Sequence, residues 1–455
     1  MDVILWRKET IKGQTTFIDL FVTLPDDDKW NDESMNEMKT KKFRKNNKKS
    51  SESRELGNEI FAANNWSDAM ECYNESLRFA EVGTENVALA YFFRSACFFK
   101  LNMIDEALAD IELATKEKIP DHLLPELEQR KQECLELVEV VRREPEHPPE
   151  LDYEANKHYP CLVNKVDIKC NQQFGRHLIA NSDIPKGKTI LLEEAFAVSH
   201  IQDSSICYTC YRATFSNFLA CEQCTNVVYC SLECKKRNKT HEWECGTFFG
   251  MRCFNDVEKQ KNLHRTRLII QTVLTAISTF RNVEALMRFV ETLVRGDGGD
   301  PDKLPTSLDD QFSKYHFFFK LKKRMRRKPL SDLKRVYTCI LFLPKIRDMF
   351  DTLEKKRFLM HLVVCHTIIV DSNVMEFEEG LTVRNVFSMF NHCEPNVKVN
   401  TSGKLTYCTT TRPVKKGEQL FINYLSPDEM KLPKEKRQEQ FRYNWGFECK
   451  CEKCA

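Results

Sequence analysis

Apolar positions follow two different periods along the chain. Between residues 54 and 145 they recur at helical spacing, and the same spacing returns in the long stretch Asn262–Leu293. Short apolar runs such as Thr189–Glu193 and Glu194–Val198, which follow the turn Pro185–Gly187, are instead typical of strands. The pattern predicts an α+β protein that begins with helices and continues as a strand-rich domain interrupted by further helices.

The helical first third contains an internal repeat. Ala69 and Ala107 fall at equivalent places in two helix pairs that combine small and aromatic residues. Their separation is close to the tetratricopeptide period of about 34 residues, and a helix predicted over Leu124–Val141 would cap the stack. The sequence therefore predicts a tetratricopeptide-like region over residues 54–145. Its groove either binds a peptide partner or serves only as a structural brace.

Charge and composition limit the possible functions. The 455 residues are 42% hydrophobic, and 69 Lys and Arg against 67 Asp and Glu leave a net charge of +2. These values exclude wholesale disorder and a global polyelectrolyte partner. No apolar run reaches the roughly 18–20 residues of a membrane span, and the start of the chain does not resemble a secretory signal. We therefore expect a cytoplasmic and nuclear protein without a membrane partner.

Two basic runs stand out locally. Lys39–Ser50 lies in a tail, residues 1–53, that is predicted to be disordered, and it is either a solvated segment or a patch for nuclear import or nucleic acid. Lys320–Lys328 is either a solvated helix face or a patch for acidic partners or phosphates. The nearly neutral net charge argues against direct nucleic-acid binding as the main function.

Cysteines cluster in one short segment. Seven of the 20 cysteines lie between Cys207 and Cys245, both included. In a chain without an export signal, such a cluster indicates metal ligands rather than disulfides. Thiolates three or four positions apart can face one ion, and thiolates with imidazole favour Zn²⁺ over Mg²⁺ or Ca²⁺. Two closed, structural zinc sites are predicted, with the ligands Cys207, Cys210, Cys221, Cys224, Cys230, Cys234, His241 and Cys245.

The order of these ligand pairs resembles the MYND zinc module, whose two sites interleave. The resemblance implies that one zinc ion is held by Cys207, Cys210, Cys230 and Cys234, and the other by Cys221, Cys224, His241 and Cys245. It also implies partners for the module, either proline-containing peptides or co-regulator proteins. Because so short a segment buries little apolar surface alone, metal binding would supply much of the folding energy.

Four further stretches flank the cysteine cluster. Phe174–Ala180 precedes it, and Phe390–Asn396, Lys416–Tyr424 and Trp445–Cys454 follow it. In this order they resemble a SET methyltransferase domain split by a MYND insertion, over about residues 152–454. With its helical N-terminus, the chain is similar to the SET and MYND domain-containing protein 4 branch of the SET and MYND domain-containing protein-lysine methyltransferase family. The resemblance implies S-adenosylmethionine as cofactor and a lysine of a histone or non-histone protein as acceptor.

The resemblance also assigns roles to individual residues. Tyr424 would be the catalytic residue, with its hydroxyl beside the transferring methyl group. The implied cofactor-binding residues are Phe174, Gly175, Arg176, Asn391, His392, Tyr424 and Phe447. A third zinc ion would be held by Cys393, Cys449, Cys451 and Cys454. An approximate alignment with the family places His366 where an asparagine reaches the cofactor.

Methyl transfer from a sulfonium to a neutral amine requires alignment and dry surroundings rather than a metal. Desolvation and the sulfonium charge would both lower the pKa of the acceptor lysine, so no dedicated base is required. Cys393 directly follows His392, which makes this loop one residue shorter than the family pattern. The alternative function is therefore a catalytically weak or inactive SET and MYND scaffold that recruits transcriptional co-regulators.

The predicted organisation divides the chain into seven segments. They are a disordered basic tail (1–53), a tetratricopeptide-like region (54–145), the first SET segment (151–206), the MYND module (207–245), a helical SET insertion (246–372), the SET core (373–430) and a post-SET zinc tail (431–455). The predicted fold is thus α+β, with a β-rich SET domain split by the MYND and helical insertions.

Overall fold

The chain forms two compact units in a computed structural model. The structure describes residues 44–138, 149–200, 206–214, 218–247, 257–295, 303–324, 330–377, 380–451 and 454. Of these, residues 44–138 and 206–247 make up the N-terminal unit, and residues 149–200 and 257–454 make up the sheet unit. Helices come first and a strand-rich region follows, as the apolar pattern predicted. No helix in the described ranges has both the length and the apolar character needed to cross a membrane.

Five helices open the N-terminal unit. They are α1 (Asn47–Ala62), α2 (Trp66–Phe79), α3 (Glu85–Lys100), α4 (Ile104–Lys116) and α5 (Leu124–Val138), with a 3-10 turn (Asp121–Leu123) before α5. The predicted disordered tail over residues 1–53 is wrong at its end, because α1 already begins at Asn47. The side chain of Asn46 caps this helix by accepting the N–H of Lys49. The rest of the tail, residues 1–43, lies outside the described residues.

The first four helices form two pairs that are offset by a constant interval. α1 and α3 begin at Asn47 and Glu85, and α2 and α4 begin at Trp66 and Ile104. Ala69 and Ala107, the two equivalent alanines, are both fully buried where consecutive helices pack. The two helix pairs therefore follow one another at the same interval as the two equivalent alanines.

Gly57 lies where α1 approaches α2 most closely. A Cβ at this position would lie 2.6 Å from the ring of Tyr73, which is closer than such atoms can pack. The close packing of the first helix pair therefore requires a residue without a side chain here.

Four strands begin the sheet unit. They are β1 (Val166–Asn171), β2 (Gly175–Ala180), β3 (Thr189–Glu194) and β4 (Ala197–His200). β1 and β2 form an antiparallel hairpin that pairs Val166 with Ala180 and Asn171 with Gly175. The chain then returns to the N-terminal unit with β5 (Leu219–Ala220), β6 (Val228–Tyr229), α6 (Leu232–Arg237) and α7 (His241–Glu244). The segment formed by these four elements contains the clustered cysteines.

A helical layer follows in the sheet unit. It consists of α8 (Val257–Phe280), α9 (Val283–Arg295), α10 (Gln311–Phe319), α11 (Leu330–Leu341), α12 (Pro344–Met349) and α13 (Leu353–Asn373). α8 packs against α9, α10, α11 and α13. α13 is buried along most of its length, because thirteen of its 21 side chains lie in the core. Burial on all sides of the helix is consistent with the mainly apolar sequence of His361–Val370.

The remaining strands complete three small sheets of the sheet unit. They are β7 (Met375–Phe377), β8 (Gly380–Val383), β9 (Asn391–His392), β10 (Val397–Ser402), β11 (Leu405–Thr410) and β12 (Phe421–Ile422). β3 joins β11 and β10, β4 joins β8 and β7, and β9 runs parallel to β12. Helix α14 (Lys434–Gln440) and a π-helical turn (Phe441–Trp445) lead to the last cysteines. β3 and β4 thus pair with strands that follow both the cysteine cluster and the helical layer.

Candidate active site and metal centres

Three distant stretches of the sheet unit meet at one place. β9 pairs in parallel with β12, so that Asn391 lies opposite Phe421. The backbone N–H of Leu420 donates to the carbonyl of Leu178 in β2 over 3.0 Å. The Asn391 side-chain amide donates to the carbonyl of Phe174 over 3.1 Å. The stretches that precede and follow the cysteine cluster therefore form a single site, which is the juxtaposition that the motif order required.

Gly175 opens the first side of this site. Its φ of +62° is in the left-handed region, where a side chain would be strained. Free space surrounds the position of an added Cβ, with no heavy atom within 4 Å. Phe174, directly before it, is 43% exposed. His177, two residues after Gly175, is buried, and its Nδ1 lies 2.9 Å from the Gly175 carbonyl. The site therefore offers an open cradle of backbone beside Gly175.

Tyr424 lies two residues after the end of β12. Its hydroxyl donates to the Phe390 carbonyl over 2.6 Å, and its backbone N–H donates to Nδ1 of His392 over 3.1 Å. Burial raises the pKa of Tyr424 well above its usual range, so the phenol remains protonated at neutral pH. Both hydrogen bonds fix the ring relative to the loop that carries Asn391.

Aromatic rings form the wall behind Tyr424. The ring of Trp445 lies 5.0 Å from that of Tyr424, and the ring of Phe447 lies 6.3 Å from it in an edge-on arrangement. Phe441, which is fully buried, lies 5.3 Å from Phe447. Phe447 was predicted from the sequence, whereas Trp445 and Phe441 were not, although their clustering before Cys449 was visible. Such a wall excludes water and favours an uncharged amine.

Part of the second basic run supports this wall. Lys322 Nζ donates to the Trp445 carbonyl over 3.0 Å. Arg324 Nη1 donates to the carbonyls of Arg442 and Tyr443, the second over 2.7 Å. Burial, followed by the charges of Arg324 and Arg176, lowers the pKa of Lys322.

The predicted helix is therefore wrong for Lys322 and Arg324, although Lys322 is exposed to solvent. α10 ends at Phe319, and the chain then turns onto the aromatic segment instead of continuing as a helix. Residues 325–328, the rest of the basic run, lie outside the described residues.

The predicted cofactor residues thus share one region. Asn391 contacts Phe174, Tyr424 contacts His392, and Phe447 contacts Tyr424. The positive charge of Arg176 contributes to the lowered pKa of Lys322, whose ammonium group donates to the Trp445 carbonyl.

His366, which an approximate alignment matched to a cofactor-contacting position, lies within the helical layer. It is fully buried in α13, where its Nε2 lies 3.1 Å from the Tyr315 hydroxyl and its Nδ1 lies 3.0 Å from the Thr272 hydroxyl. Burial lowers the pKa of His366 to about 3. Both ring nitrogens are engaged by α10 and α8, so His366 acts in helix packing.

Glu193 is a site residue that the sequence analysis missed. It is buried in β3, and its carboxylate accepts the backbone N–H groups of Asn385, Val386 and Phe387 over 2.7–2.9 Å. Burial raises the pKa of Glu193, although these hydrogen bonds and Arg384 oppose the shift. The carboxylate therefore anchors the segment that leads into Asn391. Its only sequence signal was an acidic residue within an apolar strand.

The eight clustered ligands form two groups in the N-terminal unit. One contains Cys207, Cys210, Cys230 and Cys234, and the other contains Cys221, Cys224, His241 and Cys245, with all donor atoms of a group within 4.8 Å of one another. Sulfur–sulfur distances are 3.6 Å for Cys210–Cys230 and 3.7 Å for Cys221–Cys245. Tetrahedral zinc with thiolate bonds of about 2.3 Å gives an edge of about 3.8 Å. The distances fit two zinc sites and exclude disulfides, whose sulfurs lie about 2.05 Å apart.

The thiols of the first group also show why a cation fits. Hydrogen bonds with Cys207 and Cys230 hold the pKa of Cys210 far below its usual range. Contacts with Cys207 and Cys210 raise the pKa of Cys230 far above its usual range. Four thiolates at this distance repel one another, and a divalent cation removes that conflict. The donor set therefore suits Zn²⁺.

A third ligand group lies in the sheet unit, and it differs from the predicted one. The donor atoms within 4.8 Å of one another belong to His392, Cys449, Cys451 and Cys454. Cys393, the predicted fourth ligand, is outside this group but contacts Cys451 through a hydrogen bond. Five donors therefore surround one candidate site.

Gln438 in α14 binds the cysteine tail, and the sequence analysis missed it. Its side-chain amide donates to the carbonyls of Cys449 and Cys454 over 2.7 Å each, and its side-chain oxygen accepts the N–H of Cys449. The helix therefore holds the backbone of the tail in place around the third ligand group.

Comparison with known proteins agrees with this geometry. Residues 175–425 match the SET domain family, which is more than half of the chain. Protein-lysine N-methyltransferase SMYD4 of Mus musculus is 21% identical over 88% of this chain and 66% of its own length. SMYD4 of Danio rerio is 25% identical over 43% of this chain, and histone-lysine N-methyltransferase SMYD3 of Homo sapiens is 23% identical over 64%.

The alignments cover only part of these relatives, namely 29% of the zebrafish protein, 66% of the mouse protein and 61% of the human protein. The relatives also include a SET and MYND domain-containing protein of Dictyostelium discoideum, which is 24% identical over 64% of this chain and 82% of its own length. The family match spans both sides of the cysteine cluster, as the motif order required. The chain therefore belongs to the SET domain family, with SET and MYND domain-containing proteins among its relatives.

Proposed function

We propose that this protein is an S-adenosylmethionine-dependent protein-lysine N-methyltransferase. Membership of the SET domain family and the names of its relatives support this activity. The observation that carries the proposal is the meeting of Phe174, Asn391 and Tyr424 through the hydrogen bonds of Asn391 and Tyr424. A histone or another protein would provide the acceptor lysine.

The open space at Gly175 fits a cofactor that approaches the backbone closely. Phe174, Gly175 and Arg176 would hold it on one side, and Asn391 and His392 would hold it on the other. Phe447 would cover the cofactor base by stacking. When bound, S-adenosylmethionine supplies an electrophilic methyl group. The protein's task is then to align an amine with that group and to keep water out.

Tyr424 has the geometry for orienting the acceptor amine. Its hydroxyl proton is committed to the Phe390 carbonyl, which leaves the oxygen lone pairs available to accept an N–H from the amine. Trp445 and Phe447 shield this position. A lysine in such surroundings has a lowered pKa and reaches the neutral, nucleophilic form more easily.

We also propose three structural zinc ions, with Cys393 rather than His392 completing the third site. Nδ1 of His392 accepts the Tyr424 N–H, so the neutral ring carries its proton on Nε2. That nitrogen faces Cys454 Sγ over 3.5 Å and can donate to a thiolate there. A metal would require Nε2 without its proton. The four thiols Cys393, Cys449, Cys451 and Cys454 are therefore the better set.

The finer assignments of the N-terminal unit are proposals as well. α1–α4 would be tetratricopeptide-like repeats, and the cysteine-rich elements would be a MYND module for proline-containing peptides or co-regulators. We also propose a cytoplasmic and nuclear location and, apart from the end of the N-terminal tail, the segment boundaries predicted from the sequence.

The substitution Tyr424→Phe tests the activity. It removes the hydroxyl while keeping the ring, so methyl transfer to a protein array should fall about 100-fold, as for the loss of one oriented polar group. The melting temperature should fall by only a few degrees, because one hydrogen bond to the Phe390 carbonyl is lost while the ring is kept. Tyr153→Phe is the matched control and should retain activity. Unchanged transfer in Tyr424→Phe would remove that residue from the mechanism, and no transfer by the parent chain to any array would favour the inactive scaffold.

A further inference from the structure

Phe218 of the cysteine-rich segment lies inside the helical core of the N-terminal unit. It is only 1% exposed and belongs to the same buried cluster as the core residues of α2–α5. The guanidinium groups of Arg78 and Arg94 each lie 5.1 Å from the centre of its ring. Cations at this distance from an aromatic ring attract it, and more strongly when they are desolvated. The helices therefore provide a fitted site for this aromatic side chain.

Arg94 is held rigidly in that site. Its guanidinium makes a bidentate pair with Asp110 over 2.7 and 2.8 Å and donates to Asn74 over 2.9 Å. It also donates to the backbone carbonyl of Phe218 over 3.1 Å. The side chains of Arg94 and Asp110 are both fully buried. Because Asp110 fixes the Arg94 guanidinium within the helices, that group is positioned to contact both the ring and the backbone carbonyl of Phe218.

The docked segment carries ligands of both predicted zinc sites. Phe218 leads directly into β5, which ends before Cys221, while the partner strand β6 ends before Cys230. These two cysteines belong to different ligand groups. The side chain of Val228 in β6 also joins the helical core. One hairpin therefore connects the helices to both metal centres.

A second contact joins the same partners. Arg44, just before α1, forms a β-bridge with the ligand Cys224. Lys45 then donates to the Arg78 carbonyl over 2.7 Å. The backbone of Arg78 thus contacts Lys45, the neighbour of the residue that pairs with Cys224. The side chain of Arg78 contacts Phe218.

We propose that the helical repeats are the docking site for the chain's own cysteine-rich module, and that zinc occupancy of this module and stability of α1–α5 are thermodynamically linked. The helical core and the β5–β6 hairpin then cover each other, so an outside peptide must use a different face of either one. Linkage is reciprocal, so that docking holds the zinc ions and the zinc ions stabilise the helices. This inference is independent of the proposed methyltransferase activity.

The first test measures zinc release from the full, zinc-loaded chain with a chromogenic chelator. Phe218→Ala should accelerate release of two of the three zinc ions by about tenfold, which corresponds to about 1.4 kcal/mol. Phe218→Leu keeps an apolar side chain but removes the ring between the two guanidinium groups, and it should give a smaller acceleration in a folded chain. Phe312→Ala, an exposed position in the sheet unit, is the matched control and should not change the rate.

The second test measures hydrogen exchange along the full chain. Removing zinc should accelerate amide exchange in α3 and α4, while α13 of the sheet unit should keep its protection. Release unchanged in both Phe218 variants, equal acceleration of all three ions, or unchanged exchange in α3 and α4 would each overturn the proposal.

Discussion

At the scale of single residues, His392 determines how the third metal site can be built. It accepts a backbone N–H through Nδ1 and faces Cys454 through Nε2, so it resembles a hydrogen-bond donor to a metal ligand more than a ligand. The proximity of five candidate donors does not by itself identify four ligands. The Tyr424 N–H, which points at Nδ1 of His392, separates the histidine from the four thiol ligands.

This orientation predicts different zinc contents for two variants. Cys393→Ser should lower the zinc content from three ions per chain toward two, because serine is a poor ligand for Zn²⁺. His392→Gln should retain three ions, since it changes hydrogen bonds with Cys454 and the Tyr424 N–H but removes no thiolate ligand. Metal analysis of the purified proteins gives the answer. Three ions in Cys393→Ser together with two in His392→Gln would assign the ligand role to the histidine.

At the scale of elements, β3 positions the loop that leads into β9. The Glu193 carboxylate accepts three backbone N–H groups at residues 385–387. Glu193→Gln keeps one acceptor oxygen and places an amide donor against a backbone donor. The free energy of unfolding should fall by about 2 kcal/mol, as for loss of a charge-assisted hydrogen bond. Denaturant titration measures it, and Glu194→Gln, exposed on the same strand, is the control. Equal effects in both variants would refute the anchoring role.

His366, buried in α13, should make the free energy of unfolding depend on pH. Its folded pKa of about 3 is below the usual value near 6.5, so the unfolded chain binds more protons between these pH values. The neutral imidazole of His366 therefore makes its full contribution to the free energy of unfolding above about pH 6.5. This contribution is lost by about 1.4 kcal/mol per pH unit as the pH falls toward 3. His366→Gln should reduce this slope in denaturant titrations between about pH 4 and 6.5. The same substitution at the exposed His158 is the control, and an unchanged slope in His366→Gln would contradict the assignment.

The sequence predicted elements and ligands whose signals are local. The equivalent positions of Ala69 and Ala107 and the spacing of the eight clustered ligands were visible as patterns. Contacts between distant residues had no such pattern. Lys322 meets Trp445 across 123 residues, and Arg94 meets Phe218 across 124. Sequence periodicity reports which face of an element is buried but not what covers it.

At the scale of the whole molecule, the sheet unit joins segments from both sides of the cysteine cluster into one site. Asn391 reaches Phe174 across 217 residues, and Tyr424 reaches Phe390 across 34. The shorter loop at Cys393 does not prevent this convergence. The cysteine-rich insertion belongs to the N-terminal unit instead, so each unit is assembled from segments that are discontinuous in sequence.

The most direct test of the account is calorimetric titration of the full, zinc-loaded chain with S-adenosylmethionine. We expect saturable one-to-one binding with a Kd well below about 1 mM, which corresponds to a binding free energy of more than about 4.1 kcal/mol in magnitude. Gly175→Val should weaken it strongly, because a side chain would fill the open cradle and strain a backbone with positive φ. Absence of binding by the folded parent chain at millimolar cofactor would contradict the account.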